Sequence, residues 1–558
     1  LAVLGITFSL NATMPFFKKN WFFLILLPVF SLSYVIYRHL INLPVGDDLY
    51  VMDLFNQLRE ATNLRDKIAA FFYQHNEHRI VVTRLLAWLQ FQISGHIDLR
   101  WWLILGNMSL LGMVYLFYIN FVDFPRWWIL PIAFVFIAPI SNALLPMQNS
   151  NLFSAFFGLC TLHFSVKNTS VRSFVVTLIF SCLSIFSNSG GFALLPILSS
   201  VYFLQKRYSF LGLWLGWSLL LMGCYYWQYE PIYRHPTSRL FFEQLPKAIT
   251  FFLAFLGSVG FNAKVAQLGG LVFLGGIGLA SYRKFYRLNP FFFLCMFYST
   301  LMAAMTTYKR YEYGVTTATS ERYSIYSVIL TASLFIFVLS TGQFFPRIKR
   351  LLFPLIFALS IGVHLKYTTF HLRNPNERKN GLMTRMENYQ LTHLGYNYFE
   401  IPILDKLRKY GYYDFPITTP IHTKAFYDDF NRPPITTIQL RVNKLYQTAN
   451  KLHFTGTILG TDKHISAIHG YASRLLVLQQ SDVQLDGKTN VLTNPQNQRS
   501  LILNTELEND LANTTLPTVT FTISKKYLTA PSYTFYFLLM NENAPTLAPI
   551  KTNVSFQL

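Results

Sequence analysis

The chain has 558 residues, of which 52% are apolar, 17% aromatic and only 13% charged. A soluble domain carries about 25% charged residues, so these proportions exclude a soluble globular enzyme and point to a polytopic membrane protein. The formal net charge of +21 comes from 47 Lys and Arg against 26 acids. The basic residues sit in short loops between apolar runs. That is the pattern of the positive-inside rule and of contact with anionic head groups, not of nucleic-acid binding.

Residues 1–13 precede Met14 and read as an upstream extension to a natural start at Met14. Lys18 and Lys19 then lead into an apolar run from Trp21 to about Ile41. It is too long for a signal-peptide core and reads as a retained first helix that starts in the cytoplasm. The loop 42–100 then faces outward. It opens with Pro44-Val45-Gly46-Asp47-Asp48. From Val51 to Tyr73 it alternates apolar and charged residues as surface helices do. It enters the next apolar stretch through His75-Asn76-Glu77-His78-Arg79.

Ile80 to Ile93 is apolar but short, and it carries Arg84. Placing it at the interface, and Lys247 to Phe261 as a re-entrant or surface helix, makes nearly every basic loop cytoplasmic. Spans are then expected near 101–121, 128–145, 152–166, 173–187, 191–205, 209–227, 265–282, 290–306, 324–341 and 350–368, about eleven with the first. The transmembrane domain covers 14–368, and 369–435 reads as a mixed α linker. Residues 436–558 carry short alternating segments such as Thr518-Val519-Thr520-Phe521-Thr522-Ile523, separated by turn-rich pieces such as Asn494-Pro495-Gln496-Asn497. The expected fold is membrane all-α plus a C-terminal extracytoplasmic β-sandwich-like domain. Cys160, Cys182, Cys224 and Cys295 all lie in apolar runs and imply neither disulfide nor metal.

This topology gathers a set of polar residues on one membrane face. They are Asp47 and Asp48; Asn76, Glu77, His78 and Arg79; Gln148, Asn149 and Asn151; and Asn188 and Ser189 before Gly190-Gly191. Later loops add Glu230, Arg234, His235 and Arg239; Lys309, Arg310 and Glu312; and Glu321, Arg322 and Tyr323. Ionisable groups near a bilayer are costly and mark function by default. An acid of the first loop can serve as general base toward an acceptor hydroxyl, and the later cations can hold a phosphate leaving group. A second reading stands beside each. Asp47-Asp48 suit the N-terminus of the following helix, Gln148-Asn149 can end helices, and Lys309-Arg310 and Arg322 can anchor at head groups. His75 and His78 with Glu77 form a weak divalent-metal pattern, and no cofactor is otherwise implied.

The chain resembles the GT-C-type membrane glycosyltransferases, which use polyprenyl-phosphate-linked sugars. The likeness spans roughly residues 14–368. It rests on the Gly46-Asp47-Asp48 loop after the first helix, surface helices in that loop, the Asn76-Glu77-His78-Arg79 stretch, the number of spans and a late Arg322-Tyr323. In layout it is similar to serotype-converting O-antigen glucosyltransferases and pilin glycosyltransferases. The resemblance implies an acid of the first outside loop as catalytic base, carried here to Asp47 or Asp48 with Asp48 preferred. Arg79, Lys309, Arg310, Arg322 and Tyr323 become donor-phosphate ligands, and Glu77, His78, Gln148, Asn149 and Asn188 substrate contacts. The implied partners are a polyprenyl-phosphate sugar donor, membrane lipids and an O-antigen, other envelope-glycan or pilin acceptor. The implied location is a bacterial inner membrane, with the site and the C-terminal domain in the periplasm. The alternatives are a flippase for a lipid-linked sugar, which needs charges at mid-span depth, and a scaffold whose β domain binds polysaccharide.

Overall fold

The computed structural model describes residues 19–415 apart from 122–123, 139–143, 168–169, 231–241, 260–261, 342–345 and most of 374–399, together with seven strands between 439 and 557. The proposed start at Met14 lies outside the described residues. The chain divides into two compact units, Leu1–Pro375 and Asn376–Leu558.

The first unit is helical. Six helices are long and apolar enough to cross a bilayer: Lys19–His39, Leu99–Ile119, Tyr208–Tyr226, Ala263–Tyr282, Pro290–Tyr313 and Leu352–Arg373. The protein is a multi-pass membrane protein. Among the described residues the expected eleven is not reached. The stretch 173–187 is the helix Val171–Ile185, and 128–145 is helical over Ile129–Phe136. The stretch 191–205 is broken by a 3-10 turn, Ser189–Ala193, before Leu194–Leu204. Gly190 and Gly191 let the backbone turn there, Pro196 falls in the first turn of the helix that follows, and a short helix cannot cover a hydrocarbon core of about 30 Å alone. Val81–Ser94 and Leu245–Leu256 are also short, at 14 and 12 residues.

Large apolar side chains such as Leu219, Leu268 and Val272 are exposed on the longer spans, which marks their lipid-facing sides. The interior is aromatic. Phe117 meets Phe136, Phe291 and Phe292 at centroid distances of 5.0, 5.8 and 5.3 Å. Lipid is as apolar as these rings, so the gain comes from close packing rather than from escape from water. Buried hydroxyls return to the carbonyl one turn back, as Ser218 does to Trp214 and Ser333 to Ile329. That keeps polar groups satisfied where no water reaches.

In the second unit the helix Glu400–Tyr410 buries Ile403, Leu404 and Leu407. The strands are β1 Gln439–Gln447, β2 Lys451–Leu459, β3 Tyr471–Gln479, β4 Ser500–Asn504, β5 Thr518–Ser524, β6 Ser532–Asn541 and β7 Leu547–Gln557. They form two antiparallel sheets, ordered β1-β2-β5 and β4-β3-β6-β7.

Candidate functional site

The first acidic loop parts its two carboxylates. Gly46, at φ +51°, turns the chain through the left-handed region that glycine adopts without strain. The turn closes with Asp48 N donating to Val45 O at 3.1 Å, and the helix Asp48–Glu60 begins. Asp48 is 1% exposed, and its carboxylate accepts from Val45 N at 2.9 Å and from Met147 N at 2.7 Å. It ties the first loop to the turn that opens the helix Asn149–Lys167. The side chain of Asp47 is 42% exposed and lines a cavity of about 380 Å³. The preference for Asp48 as base is therefore corrected. An acid in the first turn of a helix folds back onto backbone N–H groups, and here that use takes both oxygens.

The second cluster is a tight turn. His75 N donates to His78 O at 2.7 Å, His78 N returns to His75 O at 2.8 Å, and Asn76 takes φ +49°. Asparagine tolerates that region better than most residues. The turn sets His75, Asn76, Glu77 and His78 on the cavity. Arg79 leaves in another direction. It is buried, and its guanidinium donates to the carbonyls of Phe72, Tyr225 and Trp227. Arg79 as a phosphate ligand is thus corrected: backbone carbonyls at two helix ends take its donors. Buried Arg84 likewise donates to Phe71 O at 3.1 Å and to Tyr73 O. The two arginines hold the C-terminal carbonyls of the surface helix Leu64–Phe72, where cations are favoured.

Facing the acid is a cationic wall. Lys309 and Arg310 end the helix Pro290–Arg310 and line the cavity with Met302, Met305 and Thr306 of the same helical face. Arg310 Nη2 lies 3.2 Å from Glu77 Oε2. Arg322 and Tyr323, just before the helix Ser324–Thr341, complete this wall, with the Arg322 guanidinium 5.8 Å above the Tyr323 ring.

The third wall is neutral. It comprises Gln148, Ser150, Asn151, Asn188, Ser189 and Gly190. A Cβ on Gly190 would fall 2.6 Å from Met302 Cε and 2.8 Å from Tyr326 Oη, so a larger residue there would displace those side-chain tips from the cavity wall. Asn149 is directed away. Its Oδ1 accepts from Thr83 Oγ1 at 3.1 Å and its Nδ2 donates to Trp102 O at 3.3 Å. Asn149 is a helix-packing residue, which corrects its assignment as a substrate contact. Successive residues on a helix point about 100° apart, so neighbours such as Asn149 and Ser150 serve different sides.

The imidazoles are neutral at pH 7. Burial first, then Lys309, His75 and Arg310 nearby, push His78 down to about 3. Its Nδ1 pairs with Ser189 Oγ at 2.8 Å. Burial pushes His75 down to about 4 against the opposing pull of Asp47, with Arg84 adding to the fall. His75 Nε2 lies 3.8 Å from Asp47 Oδ1, beyond hydrogen-bond range. Among the described residues no three His, Cys, Asp or Glu side chains converge as metal ligands.

Of the expected residues, Asp47, Glu77, His78, Gln148, Asn188, Lys309, Arg310, Arg322 and Tyr323 share this one cavity. Glu230 lines a separate groove of about 1240 Å³ between the surface helix and the helix Tyr208–Tyr226, where Arg79, Ile68, Phe72, Leu219 and Trp227 also lie. Arg234, His235 and Arg239 fall outside the described residues. Sequence reasoning missed Ser150, Met302, Met305, Thr306 and Tyr326. Stepping back from Lys309 by three, four and seven residues finds Thr306, Met305 and Met302, because helical neighbours share a face.

No family model, curated protein or solved structure matches the chain.

Proposed function

We propose that the chain is a membrane glycosyltransferase that moves a sugar from a polyprenyl-phosphate donor to an extracytoplasmic acceptor. One observation carries the reading: Asp47, from the first loop, lines the same cavity as Lys309, Arg310 and Arg322, from two late loops. Asp47 takes the proton of an acceptor hydroxyl as that oxygen attacks the anomeric carbon. The bond to the phosphate oxygen breaks, the anomeric centre inverts, and the lipid phosphate leaves with its charge against Lys309, Arg310 and Arg322. Such general-base help contributes about 10²–10⁴-fold, and charge stabilisation at the leaving group adds to it. Glu77 holds Arg310 in place, and the mostly apolar groove behind Arg79 suits the lipid tail. In this reading the short helices raise the span count to about eleven. The cavity opens on the periplasmic side of a bacterial inner membrane, and the two sheets form a periplasmic sandwich. An O-antigen, another envelope glycan or a pilin is the acceptor.

The test is turnover by the full chain in detergent, given polyprenyl-phosphate sugars and envelope extract. Asp47→Asn is expected to lower transfer about 10²–10⁴-fold with its melting temperature unchanged. Transfer at the parental rate in Asp47→Asn overturns the role of Asp47. Absence of transfer from every donor, with flipping of the same lipids in vesicles, replaces the enzyme with a transporter.

A further inference from the structure

The neutral wall has a direction. Gly190 N donates to Asn188 Oδ1 at 3.1 Å, and a backbone N–H can only be a donor. This fixes which end of the Asn188 amide is oxygen, the assignment an amide otherwise leaves to its network. Asn188 Nδ2 therefore donates to Asn151 Oδ1, at 3.0 Å. Asn151 Nδ2 in turn donates to Gln148 Oε1, at 2.6 Å. The relay ends at Gln148, whose carbonyl is engaged and whose NH2 is the group left for a ligand in the cavity. Gln148 opens the helix Asn149–Lys167, and Asn188 begins the 3-10 turn Ser189–Ala193. The relay thus also pins two separate segments in one register.

Charge restricts the ligand further. Three cations, Lys309, Arg310 and Arg322, line the cavity against two carboxylates, Asp47 and Glu77, with both histidines neutral at pH 7. The formal charge of these lining side chains sums to +1, which matches the single negative charge of a phosphodiester bearing an uncharged sugar. An ammonium on the sugar would meet the Gln148 NH2 donor to donor, and a carboxylate on the sugar would add a second negative charge and exceed the cavity's balance.

We propose that Gln148 is a specificity-determining donor, held by the Gly190–Asn188–Asn151 relay, which selects a neutral sugar through one of its hydroxyl or carbonyl oxygens. This rests on the glycosyltransferase reading of the same cavity. Binding and transfer can still fail separately.

The experiment measures equilibrium binding of three polyprenyl phosphodiesters to the full chain in detergent, carrying a neutral hexose, an amino sugar and a uronic acid. Transfer is assayed in parallel. The parent is expected to bind the neutral hexose lipid most tightly. Gln148→Glu, which replaces the donor with a charged acceptor, is expected to weaken that binding about tenfold and to shift preference to the amino sugar. Asn151→Ala frees the amide and is expected to flatten the preference without inverting it. Gln148→Met, which adds no charge, should flatten it too and reads the same point if Gln148→Glu fails to fold. Unchanged preference in the Gln148 variants overturns the inference, as does a parent that favours a charged sugar or binds none of the lipids. Binding that inverts in Gln148→Glu without any transfer supports Gln148 as the donor and removes the transferase reading instead.

Discussion

Asp47 and Asp48 are adjacent, yet they are predicted to fail in opposite ways. Asp48→Ala leaves Val45 N and Met147 N without their acceptor. Unsatisfied buried donors cost about 1–3 kcal/mol each, so its melting temperature should drop along with activity. Asp47→Asn should lose activity alone, so melting curves of the two variants side by side separate the roles. The histidines set a pH dependence. An unfolded chain binds protons at His75 and His78 below pH 6.5, while the folded chain resists until about 4 and 3. Between those limits the unfolded state holds more protons, so stability rises with pH. The melting temperature is expected to hold above pH 6.5 and to fall steadily as pH drops toward 4. His75→Gln and His78→Gln should flatten that slope.

Helix packing near the cavity depends on close backbone approach. A Cβ on Gly270 would lie 2.0 Å from Leu253 O, and one on Gly257 would lie 2.1 Å from Ala266 O. The helices Leu245–Leu256 and Ala263–Tyr282 therefore meet backbone to backbone, as small residues allow in membranes. Through Phe255, whose ring lies 5.6 Å from that of Tyr323 at a 32° tilt, this pair also backs the cationic wall. Gly270→Ala is expected to destabilise the protein by at least about 1–3 kcal/mol, seen as a lower melting temperature in detergent. Gly275→Ala, on the same helix with open space around its Cβ, should leave it unchanged. The His75–His78 turn is held from both sides: Arg79 and Arg84 grip neighbouring helix ends, while His78 pairs with Ser189 and Glu77 with Arg310.

One span makes the membrane orientation of the site testable. Pro290–Arg310 has 21 residues and is about 31 Å long at 1.5 Å per residue. Exposed Arg287 and Glu312 lie near its two ends, so they belong on opposite faces of the bilayer. With Cys224 replaced, Glu312→Cys should react with an impermeant thiol reagent added outside cells, and Arg287→Cys should react only after permeabilisation. The reverse pattern would put the cavity in the cytoplasm and end the periplasmic reading.

The membrane class and the loops that feed the shared polar cavity were legible in the chain order. Long apolar runs and basic loops are local features that a bilayer reads directly. Gly46-Asp47-Asp48, Glu77-His78 and Lys309-Arg310 stood out because polar groups at the ends of apolar runs are few. Their division of labour was not legible. Whether Asn149 or its neighbours line the wall turns on a rotation of about 100° per helical residue, and whether Asp47 or Asp48 faces the cavity, or Arg79 serves a ligand or a helix end, depends on the path of the non-helical turns that position them. Those directions are set by partners distant in the chain, such as Met147 for Asp48, Tyr225 for Arg79 and Trp102 for Asn149. The same distance in sequence hid the amide relay, because its polarity begins at the Gly190 N–H and ends 42 residues earlier at Gln148.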